Sequence, residues 1–399
     1  MLQIIPVVWL KMWQRTPVAW LQLMSQKNKL VVVLAGIAFS NLLIFMQLGF
    51  QAALYDSAIE IHKKFHADLI LAHPRVENLI DVTYRLHFPN RRLYQALSVD
   101  GVESANPLYV RFADWKNPSQ SNNRAILVFS FNPKDKIFEL PDINANLDAI
   151  KLPDVVLFDR LSRFEFGPIV SNFEQGKEVS TEVNYRKITV AGLFSLGGSI
   201  FSADGILVTS DLNFIRLFNE TLENVSLGLV NIKPDADVEL VKANLIKELP
   251  QDVKVLTHKE FIELEKKYWA NSSTIGYVFS LGAMMGFIVG SVIVYQILYT
   301  DVTEHLAQYA TLKAIGYTHN YLLGLVLQEA FILAFLGYIP GFLISNILYE
   351  LTKNASRLPM NMDFNRALFV LILTFLMCLI SGAIAILKLR DADPADVFN

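Results

Sequence analysis

The sequence predicts an α-helical membrane protein with four transmembrane helices in a 1+3 arrangement and a large mixed α/β domain between the first and second. The spacing of its apolar runs carries that reading. Leu30 to Tyr55 and Tyr268 to Thr300 contain no charged residue, Tyr321 to Tyr349 contains only Glu329, and Ala367 to Leu387 contains none. Each run reaches the roughly 20 residues a helix needs to cross a ~30 Å hydrocarbon core, and a helix satisfies the backbone of such an open run in lipid. A long, mostly polar stretch separates the first run from the other three. The composition agrees: the 399 residues are 53% hydrophobic and 18% charged, which leaves room for a water-facing domain. A net charge of −3 gives no basic excess of the kind nucleic acid attracts.

Residues 1–29 precede the first span. Val7 to Met24 hold three of the five tryptophans, with Trp9 and Trp13 a turn apart and Lys11 and Arg15 on another face. Such a segment suits an amphipathic helix lying in the headgroup plane, with Pro6 in its first turn and Pro17 kinking or splitting it. It is either an anchor or a contact for a cytoplasmic partner. The first span, 30–55, is followed by no small-residue cleavage site and is too long for a signal-peptide core, so it is expected to be retained. Lys11, Arg15, Lys27 and Lys29 precede it, and Lys388 and Arg390 follow the last span. An even span count then puts both termini on one side, expected to be the cytoplasm of a bacterial inner membrane, with Lys353, Arg357 and Arg366 in the short loop opposite.

Residues 56–270 read as a mixed α/β domain, in two lobes rather than one. Ala67–Ala72, Ala125–Phe131, Lys187–Phe194 and Asp204–Thr209 have the apolar density of buried strands. Arg91–Val99 and Ser210–Phe218 have helical spacing, with Ser210 a natural N-cap. Ser226 to Thr257 read as strand, helix, strand, with Leu240, Ala243, Asn244 and Lys247 a turn apart and Pro250 ending the helix. His258 to Trp269 form a charged helix leading into the second span. The only cysteine, Cys378, lies in the last apolar run, so no disulfide staples this domain.

No catalytic set is legible here. There is no Gly-x-Ser-x-Gly elbow. His62 and His66 have ligand-like i,i+4 spacing, but Lys63 and Lys64 between them would repel a cation, and the segment reads as a solvated juxtamembrane helix. Gly197 and Gly198 read as a turn. The one Gly-Lys pair, Gly176–Lys177, is followed by Glu178 where a phosphate-binding loop needs Ser or Thr. The chain is expected to bind no metal, to hold no cofactor and to hydrolyse no ATP itself.

The second span, 271–300, carries Gly282, Gly286 and Gly290 at four-residue intervals, a small-residue stripe that lets another helix approach closely. That helix belongs either to the same chain or to a second copy across a homodimer seam. Gly337 and Gly341 repeat the device in the third span, 321–350, around Pro340. Glu329 in that span needs a partner or a task, read as structural near the cytoplasmic end or as a proton relay. A short loop, 351–366, the fourth span, 367–387, and a tail, 388–399, complete the chain. Between the second and third spans, Asp301 to Asn320 read as a short surface helix, with Asp301 and Glu304 in capping-box spacing and Gly316 ending it.

This segment, the third span and the 1+3 order resemble the FtsX/MacB-type permeases of ABC transporters. In that family a short cytoplasmic helix, Glu-Ile-Ala-x-Leu-Lys-Ala-x-Gly, precedes a span with a Glu followed by glycines. Here the match is Gln308 to Gly316, QYATLKAIG, then Glu329, Gly337 and Gly341, and the tail from Arg390 to Asp396 is similar to the family's closing Arg-x-x-Pro-Ala-Glu. Gln308 departs from the usual Glu. With QYATLKAIGY and the N-terminal WLKMWQRTPVAWLQL it looks most like the DevC subfamily of cyanobacteria.

The resemblance implies an export permease that transmits motion. Two copies pair, a separate ABC ATPase supplies ATP and Mg, and it docks on Gln308, Tyr309, Ala310, Leu312, Lys313 and Gly316. The periplasmic domain engages a membrane-fusion adaptor and through it a TolC-like outer-membrane channel, with a lipid-like cargo, glycolipid in the subfamily's named case. Two alternatives share the topology: an FtsX-like regulator of a cell-wall hydrolase, whose ectodomain is generally smaller, and a lipoprotein-releasing permease.

Overall fold

The computed structural model describes residues 27–120, 122–197, 204–271, 274–308, 311, 315–317, 319–356 and 358–390, together with Trp20 and Met24. They divide into two compact units, residues 1–53 with 274–399, and residues 54–273.

The first unit is built on four helices long and apolar enough to cross a membrane: Lys27–Lys63, Thr274–Glu304, His319–Ser356 and Phe364–Arg390. No glycine-proline break interrupts the third, which runs through Pro340. The second continues past Thr300 to Glu304. Asp301 is therefore not the start of a new helix: its carbonyl accepts from His305 N at 3.1 Å and Glu304 pairs with Lys29. Nothing in the residues around Thr300 stops helix propagation, which is why capping-box spacing misled there. Val33, Ile37, Val294, Leu298, Leu333 and Met377 form the centre of this unit's core.

The second unit is a mixed α/β domain, as its sequence predicts. Its strands are β1 (Leu69–Ala72), β2 (Phe88–Pro89), β3 (Val102–Lys116), β4 (Asn123–Phe131), β5 (Val155–Asp159), β6 (Val179–Val183), β7 (Arg186–Phe194), β8 (Ile206–Ser210), β9 (Asn224–Val225), β10 (Leu227–Ile232) and β11 (Lys254–Thr257). β2 and β9 form a small separate pair, and the other nine run in the order β11-β1-β10-β3-β4-β8-β5-β7-β6. Instead of two lobes there is one continuous sheet in two halves. The fifteen-residue β3 joins them, pairing with β10 from Val102 to Leu108 and with β4 from Tyr109 to Lys116.

In the second half β6 returns to β3 at Val183 and Trp115, which closes six strands into a ring. Pairing is parallel at β4–β8 and β5–β7 and antiparallel elsewhere. One core cluster takes residues from every ring strand, among them Trp115, Val128, Phe158, Val183, Val190 and Leu207. In the first half, helices Arg91–Leu97 and Val238–Glu248 pack Leu93, Ala96, Val241 and Leu245 with Leu69, Leu71 and Val230 of the sheet. The expected stripe on the second helix was a residue out of place. Leu240 is 62% exposed while Val241 and Leu245 are buried, because the sheet selects the face with two branched aliphatics one turn apart.

Candidate functional site

The spans are held together by small residues and a few interior hydroxyls. The first span runs antiparallel to the second, with Lys29 against Glu304, Ser40 against Gly286 and Gln51 against Gly276. It runs parallel to the third, with Ile37 at Gly337 and Asn41 at Gly341. The stripe of Gly282, Gly286 and Gly290 faces the first span of the same chain. A Cβ on Gly282 would sit 2.5 Å from Gln47 Cδ, one on Gly286 3.0 Å from Ile44 Cγ1, and one on Gly290 would collide with Ser40 and Met377. Gly337 would meet Ile37 Cγ2 at 2.6 Å, and Gly341 would meet Asn41 Cβ at 2.9 Å and the Ala38 carbonyl at 3.1 Å. The first span is thus gripped between two glycine-lined faces, an arrangement that close backbone approach makes possible.

Hydrogen bonds tie the same region. Ser40 Oγ donates to the Gly286 carbonyl, Thr374 Oγ1 to Asn41 Oδ1 and Ser381 Oγ to the Ser291 carbonyl, each at 2.7 Å. Tyr349 donates to the Phe45 carbonyl, with the Arg366 guanidinium over its ring. Glu329 lies at the end of this packing, 1% exposed, and among the described residues neither of its carboxyl oxygens has a hydrogen-bond partner. A buried carboxyl left without a donor is costly, so this position calls for a partner.

Of the expected ATPase-docking residues, Tyr309, Ala310, Leu312 and Lys313 lie outside the described residues. Gln308 is exposed in a helical turn. Gly316 takes φ +105°, a left-handed conformation that glycine adopts without cost, and nothing lies within 4 Å of where its Cβ would be. Thr311 Oγ1 donates to the Ala307 carbonyl at 2.8 Å and Ile315 N to the Thr311 carbonyl at 3.1 Å.

The α/β domain holds a buried polar joint that sequence reading missed. His62, at the last turn of helix Lys27–Lys63, is fully enclosed rather than solvated, and His66 lies beyond the helix end. The ring of His62 packs on Phe261 at 4.8 Å between centroids, and its Nε2 lies 3.2 Å from Glu265 Oε2, though not aligned for a hydrogen bond. Glu265 is 1% exposed and accepts from Leu79 N and from Trp269 Nε1, each at 2.7 Å. His258 Nε2 lies 2.7 Å from the His62 carbonyl. The joint therefore couples the end of helix Lys27–Lys63 to helix His258–Asn271. One signal was present in the sequence: Phe261, Glu265 and Trp269 recur every four residues, which puts Glu265 at an apolar position.

Two other polar sites in the domain are structural. Arg111, buried, donates to Glu220 Oε2 at 2.8 Å and points Nη1 at His87 Nε2, 2.7 Å away. Burial, with the Arg111 charge adding to it, holds His87 down at about 4. Asp159, fully buried at the end of β5, accepts from Leu161 N, Leu196 N and Gly197 N at 3.0–3.1 Å, and burial pushes its carboxyl up to about 6. Gly197 has φ +83°, as a turn there requires, and Gly198 lies outside the described residues. Among the described residues no group of three or more His, Cys, Asp or Glu side chains is placed to hold a metal.

Comparison with known proteins gives one family match. Residues 278–394 match the family described as FtsX-like permease C-terminal. This stretch includes the segment and glycines on which the FtsX/MacB-type resemblance rests. Permeases of this family are membrane subunits that work with an ABC ATPase. No curated protein matches the chain. Among solved structures, the periplasmic region of MacB from Actinobacillus actinomycetemcomitans matches at 12% identity and a TM-score of 0.35, over 50% of this chain and 92% of that one. The extracellular domain of the noncanonic ABC-type transporter YknZ from Gram-positive bacteria matches at 11% identity and 0.32, over 48% and 100%. At these values neither assigns a substrate or a contact to this chain.

Proposed function

We propose that this chain, an ABC transporter permease by its FtsX-like C-terminal domain, carries the motion of a separate ATPase to its α/β domain in an exporter of the DevC kind. The ATPase, which holds the ATP and Mg, docks on Gln308, Tyr309, Ala310, Leu312, Lys313 and Gly316. Two copies pair in the inner membrane with their termini in the cytoplasm. The α/β domain faces the periplasm, engages a membrane-fusion adaptor, and through it meets a TolC-like channel for a lipid-like, glycolipid cargo. The family resemblance at 308–316 and in the N-terminal segment supports the subfamily, its partners and its cargo.

The observation that carries the transmission itself is one uninterrupted helix, Lys27–Lys63, which supplies residues to both units. At 1.5 Å per residue it is about 55 Å long. Its apolar part is clasped by Gly282, Gly286 and Gly290 on one side and Gly337 and Gly341 on the other. Its last turn is fixed by the His62–Glu265 joint. A rod clasped along its length and anchored at its end passes on a displacement instead of absorbing it in side-chain slack, because close-packed interiors deform little.

Docking is tested in proteoliposomes with the cognate ATPase. Leu312→Asp and Gly316→Val are expected to abolish stimulation of ATP hydrolysis and cargo movement while the α/β domain keeps its secondary structure. Wild-type ATPase binding and transport in both variants would overturn the docking assignment.

A further inference from the structure

Glu329 is an ionisable group enclosed within the membrane unit, and among the described residues nothing is bonded to either of its carboxyl oxygens. The helices around it bring charge to this end of the bundle but no cation to the carboxyl. The first span contributes Lys27 and Lys29, and Lys29 is paired with Glu304 of the second span. The second span contributes Asp301, Glu304 and, just past its end, His305. The Asp301 carboxyl is close enough to repel that of Glu329. The fourth span packs Gly382 against Ala330, where a Cβ would lie 3.3 Å from Ala330 Cβ. Its nearest charge in sequence, Lys388, is about 9 Å farther along the helix axis.

An unpaired carboxylate enclosed in this way, with a second carboxyl beside it, costs far more than the neutral acid, and such a group takes up a proton instead. Asp301 gives that proton a way in and out. Its side chain is partly exposed and lies 3.5 Å from His305 Nδ1. A cation able to replace the proton is also at hand. Ile37 against Gly337 and Asn41 against Gly341 set a parallel register between the first and third spans. Carried about two turns toward the N-terminus, that register brings Lys29 level with Glu329. Lys29 and its present partner Glu304 are both nearly half exposed, so their pair is weak and readily given up.

We propose that Glu329 is a proton-binding site, filled in the packing seen here and emptied when Lys29 leaves Glu304 for Glu329. In that exchange the Glu329 O–H gives its proton to the Asp301 carboxylate, which passes it to water. The Lys29 ammonium then faces the Glu329 carboxylate, and Glu304 is left ionised and exposed. One proton leaves the chain, and no bond but the O–H is broken. Asp301 and Glu304 sit where the second span leads into residues 305–316, so displacement of that end parts Lys29 from Glu304. Only this tie to ATPase motion rests on the transmission proposed above; the site itself belongs to the membrane bundle.

Infrared spectroscopy of the full chain in an ester-free detergent, with and without isotope labelling of the glutamate carboxyls, reads the site directly. At neutral pH the wild type is expected to show a protonated-glutamate C=O band that shifts with the label and is absent from Glu329→Gln. Glu304→Gln, which releases Lys29, should lose the same band, and Lys29→Met combined with Glu304→Gln should restore it. Glu329→Gln, an isostere of the neutral acid, should melt like the wild type. A wild type without the band, or a Glu329→Gln that melts well below it, would mean an ionised Glu329 held by a base such as Lys313 or Lys388, and would overturn the site. A band unchanged in Glu304→Gln would overturn the exchange with Lys29. Every one of these readouts is taken without the ATPase, so it stands or falls apart from the transmission proposal.

Discussion

Replacing Glu265 by alanine is expected to loosen the joint at the end of helix Lys27–Lys63 by about 3–4 kcal/mol, because two N–H groups lose their acceptor at about 1–3 kcal/mol each. The structure shows where that comes from. Glu265 is 1% exposed and accepts two N–H groups at 2.7 Å. The Leu79 N–H is left in a buried position without an acceptor, which costs about 1–3 kcal/mol by itself. His62, fully enclosed, loses the carboxyl that lies 3.2 Å from its Nε2. Glu265→Gln keeps the volume and one acceptor, but its amide N–H₂ then faces the second donor, so about 1–3 kcal/mol is expected. Hydrogen exchange on the full chain in nanodiscs reads this directly. In the alanine variant, peptides covering 76–82 and 258–271 should exchange about two to three orders of magnitude faster, while the central strand 123–131 keeps its rate. Wild-type exchange in Glu265→Ala, or a larger effect in Gln than in Ala, would refute the reasoning.

Other expectations follow from the same geometry. Asp159, at about 6 in the fold against 3.8 in the unfolded chain, contributes stability that is complete below 3.8 and lost as pH rises through 6, about 3 kcal/mol in all. Melting of Asp159→Asn should therefore lack that component between pH 4 and pH 7 while keeping the opposite trend of His87, whose depressed value removes stability as pH falls from 6.5 towards 4. Gly286→Leu drives a branched side chain onto Ile44, where a Cβ alone would be 3.0 Å away, and should lower thermal stability in detergent by about 1–3 kcal/mol or more; an unchanged melt would mean the stripe is not in contact. Ser210→Ala removes the cap that accepts from Asn213 N at 3.2 Å and should cost about 1 kcal/mol in chemical denaturation.

What the sequence makes legible here follows from what local chemistry can specify. Four spans and a mixed domain are written in runs of uncharged residues and in short aliphatic strands such as Ile206–Ser210. Ser210 announces its helix because a hydroxyl before an amphipathic run has one evident use. β3 was invisible: its Pro107, Asn106 and Arg111 look like loop, and its length makes sense only once β10 and β4 have claimed different halves of it. The same strand turns two expected lobes into one sheet. The glycines at 282, 286 and 290 declared a close contact without naming its partner, because spacing fixes a face and not what lies against it. His62 and Glu265 are just over two hundred residues apart, and charge alone suggested solvent for both; only the fold encloses them together.

The proposal that this chain transmits the motion of a partner ATPase to a periplasmic assembly is tested most directly by capture. The tagged chain is isolated from gently solubilised, crosslinked membranes and its partners are read by mass spectrometry. The account predicts an ABC ATPase together with a membrane-fusion adaptor, with the ATPase lost from Leu312→Asp. An ATPase with a cell-wall hydrolase or a soluble lipoprotein carrier in place of the adaptor would contradict the tripartite exporter, and capture of no ATPase at all would contradict the transmission itself.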